Sequence, residues 1–360
     1  MATSVETAKS DVGSEGKTSA VAAIPFQFTG KASEYFKIWI VNILLTILTL
    51  GIYSAWAKVR RKRYFYGNTR LQNSTFEYLA EPVQILKGRL IAFGIFVVYA
   101  VLASFVPLVE ALFGLLFIIV LPWLVIKAHA FNARYSSYRN IRFDFRANYG
   151  EAIRVYIGLP LLSVLTLGLA YPYYTYRRSK FLIANSGYGR TRFTFAGPVK
   201  QFYAVYLKAA LLAIAFFLLF GMIANSLRWA PPISSEAASA GLSPLLFIML
   251  APLVLLAIHA YLETAITNLV WNNAKSGDHR FRSTLETFRM AWLYLSNGIA
   301  IVLSIGLLIP WAQVRMTRYR LENLQLLAVG DLDGFIASEQ QRVASAGEEI
   351  SEFFDIDIGL

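Results

Sequence analysis

The sequence predicts an all-α integral membrane protein with about seven hydrophobic segments, in two full internal repeats and one partial one, with short cytoplasmic aromatic β-like segments. Three observations carry this. Of 360 residues 56% are hydrophobic and the mean hydropathy is +0.50, too apolar for an ordinary soluble domain of this size. Apolar runs near the roughly 20 residues that a hydrocarbon core of about 30 Å requires recur along the chain. One texture, an apolar segment, a glycine and then a basic aromatic stretch, is written three times.

Residues 1–24 are rich in Ala, Ser, Thr and Glu without an apolar core, which reads as a disordered tail and not as a cleaved signal peptide. The apolar segments fall at about 36–56, 89–108, 111–131, 153–176, 202–225, 243–270 and 288–312. They place a membrane domain over 25–336, with repeat 1 at about 25–140, repeat 2 at about 141–278 and a partial repeat 3 at about 279–336, followed by an acidic tail, 337–360. Residues 331–360 carry a net −7, which leaves +19 on residues 1–330 of a chain whose total is +12. No cysteine occurs, so disulfides, thiolate metal sites and cysteine nucleophiles are excluded.

Residues 49–68 read "TLGIYSAWAKVRRKRYFYGN", 166–185 "TLGLAYPYYTYRRSKFLIAN" and 304–323 "SIGLLIPWAQVRMTRYRLEN". The three align without a gap. Gly51, Gly168 and Gly306 are each followed at plus five by Trp56, Tyr173 or Trp311, and then at steps of four by Arg60, Arg177 or Arg315, by Tyr64, Phe181 or Tyr319, and by Asn68, Asn185 or Asn323. Steps of four on a helix make a slowly rotating stripe on one face. Trp and Tyr favour headgroup depth while Lys and Arg snorkel toward lipid phosphates, so each copy is an interfacial motif at a membrane boundary. The matched asparagines serve as caps or bridges of the motif helices.

Aromatic alternations flank these copies, Phe26 and Phe28, Phe76 and Tyr78, Phe143 and Phe145, Phe193 and Phe195, and Phe281. They argue for short strands. Between copies lies a hydrophobic helix pair whose second member holds Pro122 before His129, or Pro252 before His259, at one spacing.

Charge conflicts with seven simple crossings. Residues 57–87, 127–146, 177–200 and 275–289 are all basic, whereas the connections near Pro107–Glu110 and 226–243 are nearly free of Lys and Arg. The positive-inside rule then puts both ends of segments 36–56, 153–176 and 288–312 in the cytoplasm. Either those three dip into the membrane and return, leaving both termini cytoplasmic, or a seven-span bundle has an imperfect charge bias.

The stretch "FQFTGKASEYFKIWIVNILLTILTLGIYSAWAKVRRKRYFYGN" and, near the other end, "HRFRSTLETFRMAWLYLS" with "GDLDGF" resemble the YjgN family of bacterial inner-membrane proteins, a domain of unknown function. The resemblance spans nearly all of 26–336. It implies a multi-pass protein of the inner membrane and carries over no catalytic residues.

His129 and His259 occupy matched positions, and Glu263 lies one turn after His259. Ionisable groups inside membrane segments are costly and mark functional sites by default, so these three form a candidate intramembrane polar site; local hydrogen bonding near helix ends is the plainer reading. Lys37, Arg154 and Lys208 add little polarity. No HExxH, Walker, GxSxG or dinucleotide pattern occurs, "GDLDG" lacks the rest of a calcium loop, and neither a metal site nor a cofactor nor an enzymatic activity is expected. The partner expected of the basic aromatic helices is anionic lipid, not nucleic acid. Two functions fit: a transporter or channel-like protein with its site among the broken segments, or a non-transporting scaffold that binds lipid headgroups or an envelope protein.

Overall fold

The computed structural model describes residues 21–229 and 236–357. Ten short strands form one closed antiparallel barrel: β1 (Val21–Phe28), β2 (Thr69–Leu71), β3 (Ser74–Tyr78), β4 (Ser136–Tyr138), β5 (Ile141–Phe145), β6 (Ser186–Tyr188), β7 (Thr191–Phe195), β8 (Ala274–Ser276), β9 (His279–Ser283) and β10 (Leu324–Val329). Each strand pairs with its sequence neighbours, and β1 closes on β10 in the register Val21↔Val329 to Pro25↔Gln325. Tight turns join β2 to β3, β4 to β5, β6 to β7 and β8 to β9 at one end of the barrel. At the other end every connection is helical. These are α1 (Ala32–Leu48) with α2 (Ser54–Gly67), α3 (Pro82–Phe105) with α4 (Pro107–Arg134), α5 (Tyr149–Ile153) running through a π-helical turn into α6 (Leu159–Leu165) and then α7 (Tyr171–Ala184), α8 (Val199–Trp229) with α9 (Glu236–Asn272), and α10 (Thr287–Leu303) with α11 (Ile309–Glu322). After β10 the chain forms α12 (Leu332–Asp357).

The barrel overturns the all-α, seven-segment expectation. Adjacent antiparallel strands place the exit and re-entry of each helical connection at the same barrel end, so a connection that crossed a membrane once could not rejoin the sheet. Among the described residues four helices are long and apolar enough to cross a membrane, Pro82–Phe105, Leu108–Arg134, Val199–Ile223 and Phe247–Asn272, and they come as the two pairs α3–α4 and α8–α9. The other three apolar segments are hairpins broken at their glycines. The expected aromatic alternations are strands β1, β3, β5, β7 and β9; their partners, mostly three residues long, are too short to show a period of two. β1 begins at Val21, inside the stretch expected to be a tail, while residues 1–20 and the centre of the expected external connection 226–243 lie outside the described residues.

A recurring hydrogen bond locks helix pairs to the barrel. The carbonyl oxygen of the residue ending a pair accepts the N–H just after the strand that led into it: Thr29 to Asn68 (2.9 Å), Leu79 to Tyr135 (2.8 Å), Arg146 to Asn185 (3.0 Å), Ala196 to Asn273 (3.1 Å) and Thr284 to Asn323 (3.0 Å). Both ends of the pair are thereby held together, and an edge that the short strand cannot cover is satisfied.

The three hairpin tips share one geometry. Gly51, Gly168 and Gly306 have φ of +92°, +90° and +87° and donate five residues back, to Thr46 (2.7 Å), Ser163 (2.7 Å) and Ile301 (2.8 Å), the long bond of a Schellman motif. The preceding residue, where glycine is usual, is Leu50, Leu167 or Ile305 at φ +49°, +49° and +50°. Left-handed backbone costs a non-glycine residue about 1–2 kcal/mol. These three side chains are 95%, 95% and 94% exposed, so packing within the chain does not offset the cost. The tips also leave little backbone polarity unpaired. Thr49 Oγ1 donates to the Leu45 carbonyl (2.7 Å) and accepts from Tyr53 N–H (2.9 Å), Thr166 repeats this with Leu162 (2.8 Å) and Ala170 (3.0 Å), and Ser304 bridges Ile301 (3.2 Å) and Leu308 (3.0 Å).

The cysteine-free chain makes this easy to test. Nitroxide labels on single cysteines at positions 50, 167 and 305, in protein reconstituted in bilayers, are expected to collide with oxygen more than with a water-soluble nickel chelate. Labels at Asn73, Asn140 and Asp278, in the strand turns, are expected to show the reverse. Chelate-dominated collisions at two of the three tips would refute lipid insertion.

Candidate functional site

The repeated motif works mainly within the fold. Tyr64 Oη donates to the Lys31 carbonyl (2.8 Å) and accepts from Lys31 N–H (2.7 Å), clipping α2 to the start of α1. Tyr319 does the same to Glu286 (3.3 and 2.9 Å), while the matched Phe181 is fully buried against Phe145 and Tyr156. Asn68, Asn185 and Asn323 each donate through Nδ2 to the carbonyl four residues back (2.8 Å), closing their helices. The arginines diverge. Arg60 reaches Tyr53 Oη (2.9 Å), Arg177 pairs with Glu151 (3.8 Å) and with Tyr173 Oη (3.5 Å), and Arg315 binds Ser296 and Asn297 (2.6 and 3.1 Å) above the Trp311 ring. Trp56 stacks on Tyr53.

The candidate polar triad is not assembled as one site. His129, on α4, packs on Phe145 (centroids 5.2 Å apart). His259, on α9, packs on Tyr294 (5.2 Å), and Glu263 is ion-paired with Arg320 of α11 (2.9 Å), whose guanidinium also donates to Tyr294 Oη (3.2 Å). The carboxylate is thus matched by a cation of the motif helix. In "GDLDG", Asp331 accepts the Asp333 and Gly334 N–H groups (3.0 Å each) and starts α12, while Asp333 pairs with Arg139 (2.5 Å).

The barrel interior forms the principal cavity, about 530 Å³. The central residue of each five-residue strand lines it, Phe76, Phe143, Phe193 and Phe281, as do Phe26 of β1 and Leu324 and Leu326 of β10. Tyr138 and Tyr188 form part of the next layer toward the turns; Tyr138 Oη donates to the Leu71 carbonyl (2.8 Å) and Tyr188 Oη to the Tyr138 carbonyl (3.0 Å). Burial raises both phenol pKa values, so both stay protonated at neutral pH. Toward the helical end the lining passes to Tyr66, His129, Asn132, Trp271 and Leu321. The hydroxyls there turn back on helices: Thr69 donates to Phe65 (2.8 Å), Ser136 to Asn132 (2.7 Å) and Ser186 to Leu182 (2.7 Å). Among the described residues no Asp, Glu, Lys or Arg lines this cavity.

Helix α12 floors the barrel at the turn end with Leu332, Phe335 and Ile336. His279, whose ring meets Phe335 (4.6 Å), accepts Val329 N–H through Nδ1 (3.2 Å), and burial holds its pKa down, in the neutral form that this bond requires. One polar anchor pins the floor. Glu339, wholly buried, accepts the Arg190 and Thr191 N–H groups (2.8 and 3.2 Å) and the Thr191 hydroxyl (2.8 Å), and pairs with Arg342 (2.6 Å). Burial would raise its pKa, but these donors outweigh that and hold it below the ordinary carboxylate value. The five phenylalanines stand in the sequence as alternations; Tyr138, Tyr188, Trp271 and the floor carry no such signal by themselves.

Residues 23–353 match the profile of a family described as "Bacterial protein of unknown function (DUF898)". The chain is 26% identical over 364 residues to the inner membrane protein YjgN of Salmonella typhimurium, covering 88% of this chain and 91% of that protein. Proteins of the same name from two Escherichia coli strains are 30% and 32% identical over 162 and 164 residues, which is 45% of this chain and 40% of theirs in each case. No solved structure matches.

The Glu339 anchor has a pH signature. Its docked carboxylate ionises below the ordinary value of 4.5, so docking of α12 is at full strength above that pH and weakens as pH falls through the docked value. Glu339→Ala is expected to cost about 1–3 kcal/mol of local stability, the penalty for orphaned buried donors. Hydrogen exchange at Phe335 and Ile336 reads both effects; protection unchanged by the substitution and by acid would contradict the anchor.

Proposed function

We propose, from the premise that the chain belongs to the DUF898 family of bacterial proteins, that it is a multi-pass inner-membrane protein that takes an apolar molecule, such as an acyl chain, from the bilayer into its barrel. The observation that carries this reading is the cavity ringed by five phenylalanines and free of formal charge. At about 530 Å³ it lies within the ordinary range of ligand sites, roughly 300–1,000 Å³. The hydroxyls of Thr69, Ser136 and Ser186 are already bonded to helix carbonyls, so a polar ligand would find few free partners at the mouth, whereas an apolar one loses only its contact with water or lipid.

Membrane placement follows from charge and connectivity together. Helices α3, α4, α8 and α9 cross, and the hairpins α1–α2, α6–α7 and α10–α11 dip from one side and return. The strand turns and neighbouring strands carry Arg70, Arg139, Arg190, Arg192, Lys275 and Arg280, which by the positive-inside rule sets the barrel in the cytoplasm. The helical mouth then faces the inner leaflet. Transport of this kind needs no ion relay, and the pairing of Glu263 with Arg320 fits that. A scaffold would use the basic aromatic helices and the acidic tail, and part of that tail, α12, is docked on the strand turns through Glu339.

The test uses a dansyl-labelled fatty acid with the full-length protein in detergent. Wild type is expected to bind it saturably. Ser276→Leu adds bulk to the cavity from a buried hydroxyl residue and is expected to weaken binding roughly tenfold with the thermal midpoint retained. Glu263→Gln is expected to leave binding unchanged. Non-saturable binding, or binding indifferent to both Ser276→Leu and Ser276→Phe, would sink the reading.

A further inference from the structure

A second concavity, about 370 Å³, lies outside the barrel beside the first hairpin. Lys58 and Arg61 of α2 and Arg89 of α3 line it together with Asn42 of α1, and Trp39, Ile43 and Ile47 continue the wall toward the hairpin tip. Among the described residues, no carboxylate forms an ion pair with any of the three cations. Arg89 donates to Ser54 Oγ, which sets its guanidinium at the pocket.

Asn42 adds the second requirement. It is 7% exposed, lines this pocket, and its Oδ1 has no hydrogen-bond partner. The third hairpin supplies an internal comparison. There the matched Asn297, 6% exposed, accepts Arg315 Nη1 (3.1 Å), and the residues matching Lys58 and Arg61 are Gln313 and Met316. In the first hairpin Arg60 instead turns to Tyr53 Oη (2.9 Å), which leaves Asn42 open. The second hairpin has Leu159 at that position. Only the first hairpin therefore combines an unmatched cluster of cations with a buried, unfilled acceptor. A buried acceptor left unmade costs about 1–3 kcal/mol.

We infer that this pocket binds the headgroup of an anionic phospholipid whose phosphodiester faces Lys58, Arg61 and Arg89 and whose headgroup hydroxyl donates to Asn42. Phosphatidylglycerol has that chemistry. An ethanolamine headgroup would bring an ammonium among three cations, and a bare phosphate monoester would offer Asn42 only a proton that neutral pH removes. The apolar continuation along Trp39, Ile43 and Ile47 fits an acyl chain and favours the lipid over a soluble glycerol phosphate carrying the same polar groups.

Native mass spectrometry of the full-length protein, after addition of each probe to delipidated sample, tests this. Phosphatidylglycerol is expected to remain bound, with phosphatidylethanolamine and free glycerol phosphate lost. Lys58→Gln with Arg61→Met installs the residues that the third hairpin carries at these positions, and is expected to lower phosphatidylglycerol occupancy roughly tenfold with the thermal midpoint retained. Asn42→Leu, the residue of the second hairpin, is expected to weaken phosphatidylglycerol but not phosphatidic acid, which lacks the headgroup hydroxyl. Equal retention of the two diester lipids by wild type, or full retention of phosphatidylglycerol by the Lys58/Arg61 double variant, would overturn the site. Glycerol phosphate bound as well as the lipid would overturn the lipid assignment.

Discussion

Closure of the ten-stranded sheet governs everything else in this molecule. Neighbouring strands in a sheet lie about 4.8 Å apart, so each helical excursion begins and ends at nearly the same point. An excursion that returns to its origin either crosses a bilayer twice or turns round inside it. The chain alternates two lengths of excursion: short hairpin, long pair, short hairpin, long pair, short hairpin. The hydrogen bond from the strand exit to the last helical carbonyl, made at all five joints, is the local expression of this constraint.

A second regularity concerns hydroxyls. Thr49, Thr166 and Ser304 at the hairpin tips, and Thr69, Ser136 and Ser186 at the barrel mouth, all donate to carbonyls three or four residues earlier. In both places a short hydroxyl side chain at a helix end satisfies an otherwise orphaned acceptor. The result is two apolar surfaces built from helix ends, one turned outward and one turned inward. Polarity survives where it has a partner, as at Glu263 with Arg320 and at Glu339 with Arg190 and Thr191.

Much of this was written in the sequence at short range, and its assembly was not. The glycine-to-asparagine motif and its three break points were legible because each lies within one 20-residue window. The charge pattern already opposed seven simple crossings. Phe26, Phe76, Phe143, Phe193 and Phe281 stood out as alternations, but nothing local says that five of them meet. A spacing signal did exist. Phe76, Phe143, Phe193 and Phe281 each follow Asn68, Tyr135, Asn185 or Asn273 by eight residues, so the unit ending a long pair matches the unit ending a hairpin. Tyr135 in place of asparagine, and strands of three residues, hid that equivalence. Where α12 docks was not legible, because the composition of the acidic tail is that of a solvated segment, whereas Glu339 is buried by donors from a turn nearly 150 residues away.

The pairing of β1 with β10 bears on how the chain matures. Val21 meets Val329 only after almost the whole polypeptide has left the ribosome. Until then the first strand and every growing sheet margin display unpaired amides and carbonyls, the kind of template that recruits foreign strands. Contacts this distant along the chain form late and slowly. The cylinder is therefore sealed late, once Leu324–Val329 has been made. A nascent chain stalled before Leu324 is an open, adhesive arc.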